Sequence, residues 1–244
     1  MRKVFDDLSG ATGECVIRKR AVVVTMDVTS LGKLGNLLLC RSDQTNLYWR
    51  YTESECATDY ERAVRTMIAI GYDLRGFVVD GKPGVIKMLQ ERYTSIPCQY
   101  CQFHQIKTIK QYIPRRAKSE AARSLRRLAL RLSDYRYWQF ETALQIWWIL
   151  NRDFLQEKTT NNDPGQKRKW RYTHEKLRSA YNSLRRNLPY LYTFQKYAER
   201  NMPNTTNACD GYFSHLKERL NRHRGLSLQR KKKMADYLLE NWDG

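Results

Sequence analysis

Apolar and polar positions change their spacing several times along this chain. Between residues 21 and 51, apolar runs rich in β-branched and aromatic residues are broken by "SLGKLG" and "RSDQTN", which predicts three short strands in a meander. The next segment, "ATDYERAVRTMIAIGYD", repeats apolar residues at helical spacing and ends at Gly71, so a helix is predicted. Phe77 to Val79 then predict a buried strand that ends on Asp80, and Pro83 marks the start of another helix.

The second half of the chain is dominated by helix formers, arginines and aromatic residues, with one polar break at "KTTNNDPGQKRKW". No strand pattern returns, and the last forty residues predict one or two helices rich in cations. We therefore expect an α/β protein with four parts: an N-terminal lead-in (1–20), the first part of the core (21–114), an all-helical insertion (115–200) and C-terminal helices of the core (201–244).

Charge indicates the class of partner. Lysine and arginine outnumber aspartate and glutamate 44 to 25 in 244 residues, a formal net charge of +19, so a polyanion is expected and nucleic acid comes first. Acidic lipid, or a basic surface that only aids solubility, is the alternative. No apolar run reaches the roughly 20 residues that span a bilayer, and "MRKVFDDLSG" lacks a signal-peptide core, so we expect a soluble intracellular protein without a membrane partner. Six cysteines without framework spacing favour a reducing compartment.

Two aspartates share a context that suggests metal chemistry. Asp27 follows "VVVTM" and Asp80 follows "GFVV", so each is predicted at or near the end of an apolar strand. If these strands are neighbours, both carboxylates face one site, where protonation or a cation must relieve their repulsion. Mg²⁺ or Mn²⁺ prefers such oxygen ligands, and two such ions assist phosphoryl transfer. Either acid alone is explained equally well by a strand-end turn or a helix cap.

A third acid, Asp210, lies on the predicted first turn of the helix that follows "NTTNA". Periodicity leaves two interpretations open: a metal ligand facing the sheet, or a charge that complements the helix dipole by about 0.3–1 kcal/mol. Glu218, two turns later and surrounded by cations, is more simply explained by a surface salt bridge.

Four segments, in this order, resemble the catalytic domain of Mutator-like bacterial insertion-sequence transposases of the DDE type: "TMDVTSLG", "GFVVDGKPGVIKML", "CQYCQFHQIKTIKQYI" and "NTTNACDGYFSHLKERLNRHRGLS". The likeness is strongest to the variant whose full-length members carry an N-terminal zinc-binding region, and it covers nearly the whole chain. It implies a ribonuclease-H-like mixed sheet flanked by helices, with a helical insertion before the last catalytic acid. It also implies that Asp27, Asp80 and Asp210 are the catalytic acids and hold two Mg²⁺ or Mn²⁺ ions. Asp210 stands where the family has glutamate, one methylene longer.

The resemblance implies metal-dependent cleavage and transfer of DNA strands at insertion-sequence ends. The implied partner is double-stranded DNA, bound by a homodimer or larger assembly in the bacterial cytoplasm, at the nucleoid. Two other functions stay open: a non-catalytic DNA-binding remnant of a transposase, or another ribonuclease-H-like nuclease that acts on branched DNA or RNA–DNA hybrids.

The motif Cys98-x-x-Cys101-x-x-His104 offers three zinc ligands without an obvious fourth, which is a poor basis for a closed zinc site. Cys101 and His104 match a Cys-x-x-His pair of the resembled family. That match implies that His104 contacts the substrate strand beside the active site and that Cys101 packs beneath it. A partly buried histidine at the start of a helix, satisfied by its neighbours, is the alternative.

The C-terminal cations are predicted to contact the DNA backbone rather than to read bases. Leu216 and Leu220 form the apolar stripe of the same helix, so only part of its surface is available. An ordinary solvated cationic face is the alternative. The predicted phosphate contacts are Lys217, Arg219, Arg222, His223 and Arg224.

Three tryptophans lie among the arginines of the predicted insertion: Trp138, Trp147 and Trp148. Trp147 is the one predicted to stack on an unpaired base of DNA. We expect at least two of the three to pack in the core of the protein instead.

Overall fold

The computed structural model describes residues 20–82, 84–160, 169–223 and 225–241. The predicted lead-in up to residue 19, the predicted helix start at Pro83 and the predicted phosphate contact Arg224 lie outside these residues. The strands of the main sheet are β1 (Arg20–Ser30), β2 (Asn36–Ser42), β3 (Thr45–Thr52), β4 (Tyr72–Val79) and β5 (Cys98–Tyr100). The first helices are α1 (Ala57–Ala69), α2 (Val85–Arg92) and α3 (Gln102–Tyr112).

The remaining elements follow β5. The helices are α4 (Glu120–Leu130), α5 (Tyr137–Gln156), α6 (Glu175–Leu191), α7 (Thr193–Lys196), α8 (Asn207–Arg222) and α9 (Leu228–Asn241), and two short strands are β6 (Lys158–Thr160) and β7 (Trp170–Tyr172). No helix among the described residues is long and apolar enough to cross a membrane.

The five long strands form one mixed sheet in the order β3-β2-β1-β4-β5. β1, β2 and β3 pair antiparallel, which confirms the predicted meander, whereas β4 pairs parallel to β1 and β5 parallel to β4. Parallel neighbours need a crossover connection, and α1 and α2 supply the two crossovers. The protein is therefore α/β, as predicted.

Strand alternation divides the apolar residues between the two faces of the sheet. Val22, Val24 and Met26 pack with residues of α1 and α2 in one buried cluster. Leu37 and Leu39 on the other face pack with α8 and α9 in a second cluster. Because Asp27 follows Met26 and pairs with Leu39, its side chain lies on the α8 side of the sheet.

Asp27 lies near the end of β1, as predicted, but the strand runs three residues beyond it. The strand continues to Ser30 because the antiparallel partner β2 pairs with it as far as Asn36. β4 likewise begins at Tyr72, five residues before the predicted run, because β1 pairs with it from Arg20 onward. Cross-strand hydrogen bonds, which the apolar pattern does not encode, set both boundaries.

The described residues between 115 and 200 form helices with short connections and the antiparallel ribbon of β6 and β7, so the predicted all-helical insertion is wrong in this detail. Each ribbon strand has three residues, too few to produce a periodic pattern. The helices share a core of their own, and the Gln99 and Gln102 amides join it to the sheet by donating to the Leu191 carbonyl, both at 2.9 Å.

Candidate metal centre

Asp27 is a buried acid with one oxygen unsatisfied. Its Oδ1 accepts the Val28 N–H at 2.7 Å, whereas Oδ2 is buried and has no hydrogen-bond partner among the described residues. Burial and then the charge of Asp80 raise the pKa of Asp27 to about 8. Thr206 and the Val28 N–H favour the ionised form but offset only part of this shift. A bound cation would stabilise the ionised carboxylate in this position, because it would replace the lost hydration.

Asp80 directly follows β4, and Met26 of β1 pairs with Val79 of β4, so the two acids occupy adjacent positions on neighbouring strands. The Lys82 N–H donates to Asp80 Oδ1 at 3.2 Å, which fixes the carboxylate in the turn after the strand. The pKa of Asp80 is raised, first by burial and then by the charge of Glu55. The condition set from the sequence, that β1 and β4 are neighbouring strands, is met.

Glu55 and Tyr60 belong to the surroundings of Asp80, although no sequence pattern pointed to them. The Tyr60 hydroxyl donates to Glu55 Oε1 at 2.7 Å and lies 3.5 Å from Asp80 Oδ1. The Lys82 ammonium lies 3.3 Å from the second oxygen of Glu55. Tyr60 carries only the apolar signal of a core position in α1, and Glu55 lies in a loop without any periodic signal, so neither was recognisable.

The turn that carries Asp80 requires glycine at position 81. Gly81 has φ +84°, in the left-handed region, and a Cβ there would lie 2.0 Å from the Tyr100 ring. Gly84, three residues later, has φ +87°, but a Cβ at that position would meet no atom within 4 Å. The "DG" pair is thus explained by steric exclusion at Gly81.

Asp210 lies in the first turn of α8, as predicted, and faces the sheet. The helix is seated on β1, with the Cys209 thiol directed at the Thr25 carbonyl at 3.9 Å. Asp210 Oδ2 is buried and, like Asp27 Oδ2, has no hydrogen-bond partner among the residues described. A buried, unpaired oxygen is not needed for a charge that only complements a helix dipole, which favours the interpretation of Asp210 as a ligand.

His104 reaches the same place from α3. The loop before α8 is fastened to the start of α3, because the Thr206 N–H donates to Cys101 Sγ at 3.2 Å and the Gln102 N–H donates to the Asn204 carbonyl at 2.9 Å. The Thr206 hydroxyl lies 3.3 Å from His104 Nδ1. Burial lowers the pKa of His104, but Cys101 and the charges of Asp80 and Asp210 outweigh it and hold that pKa above its usual value.

Asp27, His104 and Asp210 form one cluster, in which each residue offers a ligand atom and these atoms all lie within 4.8 Å of one another. Two carboxylates and an imidazole fit a divalent cation, and the two unsatisfied carboxylate oxygens provide the observation that such an ion would explain. The shorter side chain of Asp210 is therefore long enough to join the cluster. Asp80 is a further charged residue near this cluster. From the sequence, His104 is expected to contact the substrate strand, whereas the structure places it among the candidate metal ligands.

The two cysteines of the Cys98-x-x-Cys101-x-x-His104 motif lie in different surroundings. Cys98 packs in the apolar cluster around Phe77, on the α1 side of the sheet. Cys101 is fully buried and accepts hydrogen bonds from Thr206, beneath the ring of His104.

Trp147 cannot stack on DNA in this structure, which corrects the sequence prediction. It is 6% exposed, its indole N–H donates to the Ala121 carbonyl at 3.1 Å, and its ring stacks on Tyr181. Trp148 also stacks on Tyr181, with ring centroids 4.7 Å apart. Trp138, by contrast, is 62% exposed. The expectation that at least two of the three tryptophans pack in the core is confirmed.

The predicted cationic face of α8 is exposed along its C-terminal half. Leu216 and Leu220 are buried, as the apolar stripe predicted, and Arg222 pairs with Glu218 on the surface. Lys217 is half-buried, whereas Arg219 and His223 are exposed.

No protein-family model matches this chain, and a search of curated proteins found no match. Its function is therefore inferred from the geometry of the metal centre, from the charge and from the sequence motifs.

Proposed function

We propose that this chain is the catalytic domain of a DDE-type, Mutator-like transposase, which cleaves and joins DNA strands with divalent cations. One observation carries the proposal: the carboxylates of Asp27 and Asp210 lie together, each with one buried oxygen that has no hydrogen-bond partner among the described residues, and Asp80 directly follows the adjacent parallel strand. Unpaired buried carboxylates are costly in a folded protein, and function is the usual reason to keep them.

The sheet supports this proposal. An antiparallel meander followed by two parallel strands, in the order β3-β2-β1-β4-β5, is compatible with the ribonuclease-H-like fold that the sequence motifs imply. The helical region lies between β5 and α8 in the chain, before the third acid, as the resemblance requires. The net charge of +19 suits a polyanionic substrate such as duplex DNA.

Asp27, His104 and Asp210 would hold a cation, and Asp80 would serve a second one or the same one from the adjacent strand. A bound Mg²⁺ or Mn²⁺ would supply positive charge at the reacting phosphate and acidify a water molecule. The protein contributes rigidity, because β1, β4 and α8 place the acids and the Thr206 backbone N–H bond to Cys101 anchors the loop between His104 and Asp210. The imidazole nitrogen favours Mn²⁺ over Mg²⁺.

A nicking assay on supercoiled plasmid, in Mg²⁺ and in Mn²⁺, tests the proposal. We expect the wild type to cut, and Asp27→Asn, Asp80→Asn and Asp210→Asn each to lose at least about 100-fold in rate, because each removes a charge from the centre. Asp153→Asn is the matched control, since that side chain is 91% exposed in the helical region. Retained cutting by Asp27→Asn would rule out this assignment of the active site.

Asp210→Glu separates an active enzyme from a remnant. If the wild type binds DNA without cutting and only Asp210→Glu cuts, the chain is a disabled transposase. DNA binding without cutting by any variant supports the non-catalytic remnant. Preference for branched DNA or an RNA–DNA hybrid over plain duplex identifies another ribonuclease-H-like nuclease.

A further inference from the structure

A groove of about 590 Å³ opens between the turn after β1, the C-terminal half of α8 and the start of α9. Its walls combine leucine side chains with polar groups and three lysines. The residues that supply its polar and charged surface are Ser30, Lys33, Lys217, Asn221 and Lys231.

The groove is positively charged and lacks a counter-charge. No aspartate or glutamate is among its lining residues, and Lys33, Lys217 and Lys231 form no ion pair with any acid in the described part of the chain. Lys231 lies in the first turn of α9, a helix of 14 residues, so the helix dipole adds positive potential there. Three lysines confined to one groove repel each other, and an anion relieves that repulsion.

The groove lies at a defined distance from the metal centre. Ser30 is three residues beyond Asp27 along β1, and Lys217 is seven residues beyond Asp210 along α8, hence on the same side of that helix. Three strand residues span about 10 Å, and seven helical residues also span about 10 Å. Phosphates of one DNA strand follow each other at roughly 3.4 Å along the duplex axis, so a duplex whose axis runs parallel to the line from the metal centre to the groove advances about three nucleotides over about 10 Å.

We propose that this lysine groove binds a backbone phosphate of the DNA strand about three nucleotides from the phosphate that reacts at the metal centre. The inference rests on the proposed function for the identity of the strand. Lys33, Lys217 and Lys231 donate to the phosphate oxygens, and Asn221 and Ser30 offer further polar groups. The contact is independent of base identity, so it sets the register of the strand rather than its sequence.

Metal-free binding of a fluorescein-labelled 30-base-pair duplex, followed by anisotropy from about 50 to 200 mM salt, tests the groove without any need for cleavage. Lys33→Gln, Lys217→Gln and Lys231→Gln are each expected to weaken binding about three- to tenfold and to reduce the slope of log K against log salt by about 0.9. Lys87→Gln is the matched control, because Lys87 is 77% exposed on α2, across the sheet. Its effect should stay below twofold, and the melting temperature should not fall in any of the four variants.

Single methylphosphonate substitutions in the duplex locate the contact. The wild type should lose affinity at one position that Lys217→Gln ignores, and in cutting conditions that position should lie about three nucleotides from the cleaved bond. Equal affinity and equal salt slope for groove and control variants would overturn the proposal. It would also be overturned if the groove variants lost binding of inorganic phosphate but kept duplex binding, because the groove would then be a site for free phosphate.

The two proposals can fail separately. If the groove variants keep wild-type binding while Asp27→Asn abolishes cutting, the groove assignment is wrong and the proposed function stands. If the groove variants lose binding while Asp27→Asn cuts normally, the groove binds DNA and the active site lies elsewhere.

Discussion

The two ends of α8 carry clusters of opposite charge. At its first turn, Asp210 lies in one cluster with Asp27, and each of these acids has one buried oxygen without a partner among the described residues. Two turns later, Lys217 meets Lys33 and Lys231 in an open groove without an acid in its lining. We expect the first end to attract a cation and the second end an anion.

The difference between these ends lies in burial. Asp27 is 3% exposed, so its charge is strongly penalised and the pKa of this carboxyl rises to about 8. The groove lysines are half-buried or exposed and keep much of their hydration. We therefore expect changes at the acid end to alter both stability and metal affinity, and changes at the lysine end to alter DNA binding alone.

The largest expected effect is that of Gly81→Ala, which should damage the acid end through the turn that holds Asp80. A Cβ 2.0 Å from the Tyr100 ring forces the turn to move, so unfolding in urea should show a loss of about 3 kcal/mol. Gly84→Ala, with a similar φ but no atom within 4 Å of its Cβ, should lose only about 1–2 kcal/mol. Equal losses in the two variants would show that Tyr100 does not restrict position 81.

The next largest effect is expected when Mn²⁺ binding and DNA binding are both measured in variants of each end of α8. Asp27→Asn and Asp210→Asn should weaken Mn²⁺ binding, measured by calorimetry, by about 100-fold or about 2.7 kcal/mol. Both should bind duplex DNA without metal at least as tightly as the wild type, because they remove negative charge. Lys217→Gln should show the reverse pattern, with unchanged Mn²⁺ affinity. A loss of Mn²⁺ binding in Lys217→Gln would show that the two ends of α8 do not act independently.

Asp27→Asn should also stabilise the metal-free protein at high pH. The folded pKa of about 8 lies above the ordinary 3.8, so the folded state retains a proton that the unfolded state loses, and stability falls as pH rises between these values. The neutral amide escapes this loss, and we expect a melting temperature higher by several degrees at pH 8 and nearly equal at pH 4. Lys217→Gln serves as the comparison and should show no such pH-dependent difference. A gain that is equal at both pH values would contradict ionisation of Asp27 as its cause.

His104→Gln should have the smallest effect, and it distinguishes the two metals. Loss of the imidazole nitrogen should weaken Mn²⁺ binding about tenfold and Mg²⁺ binding less than about threefold, since Mg²⁺ prefers oxygen ligands. His174→Gln is the control, because His174 pairs with Glu157 in the helical region. Equal losses for both metals would indicate that His104 positions the loop of Thr206 and does not ligate the ion.

Local sequence was sufficient for much of this fold. The meander, the helix α1, the strand that ends at Asp80 and the buried stripe of α8 follow from periodicity and caps, which act over a few residues. Asp27 and Asp210 were recognisable as candidates because a charge next to an apolar run, or in a first helical turn, is visible in one dimension.

Other features depended on contacts between distant segments. The ribbon of β6 and β7 needs a partner strand, and burial of Trp147 needs Tyr181 and Ala121 from other helices. The lysine groove is lined by residues separated by nearly two hundred positions in the sequence, so no local sequence pattern predicts it.

The sequence by itself determined the charge and the α/β class, because composition and short-range periodicity are properties of the chain, and its motifs singled out the three acids as candidates. Only the tertiary structure decided which groups meet: it brought His104 beside Asp27 and Asp210, set Asp80 on the adjacent strand and buried two carboxylate oxygens without partners among the described residues. The physical reason is that desolvation and Coulomb interactions depend on distances through space, and the order of residues along the chain does not specify them.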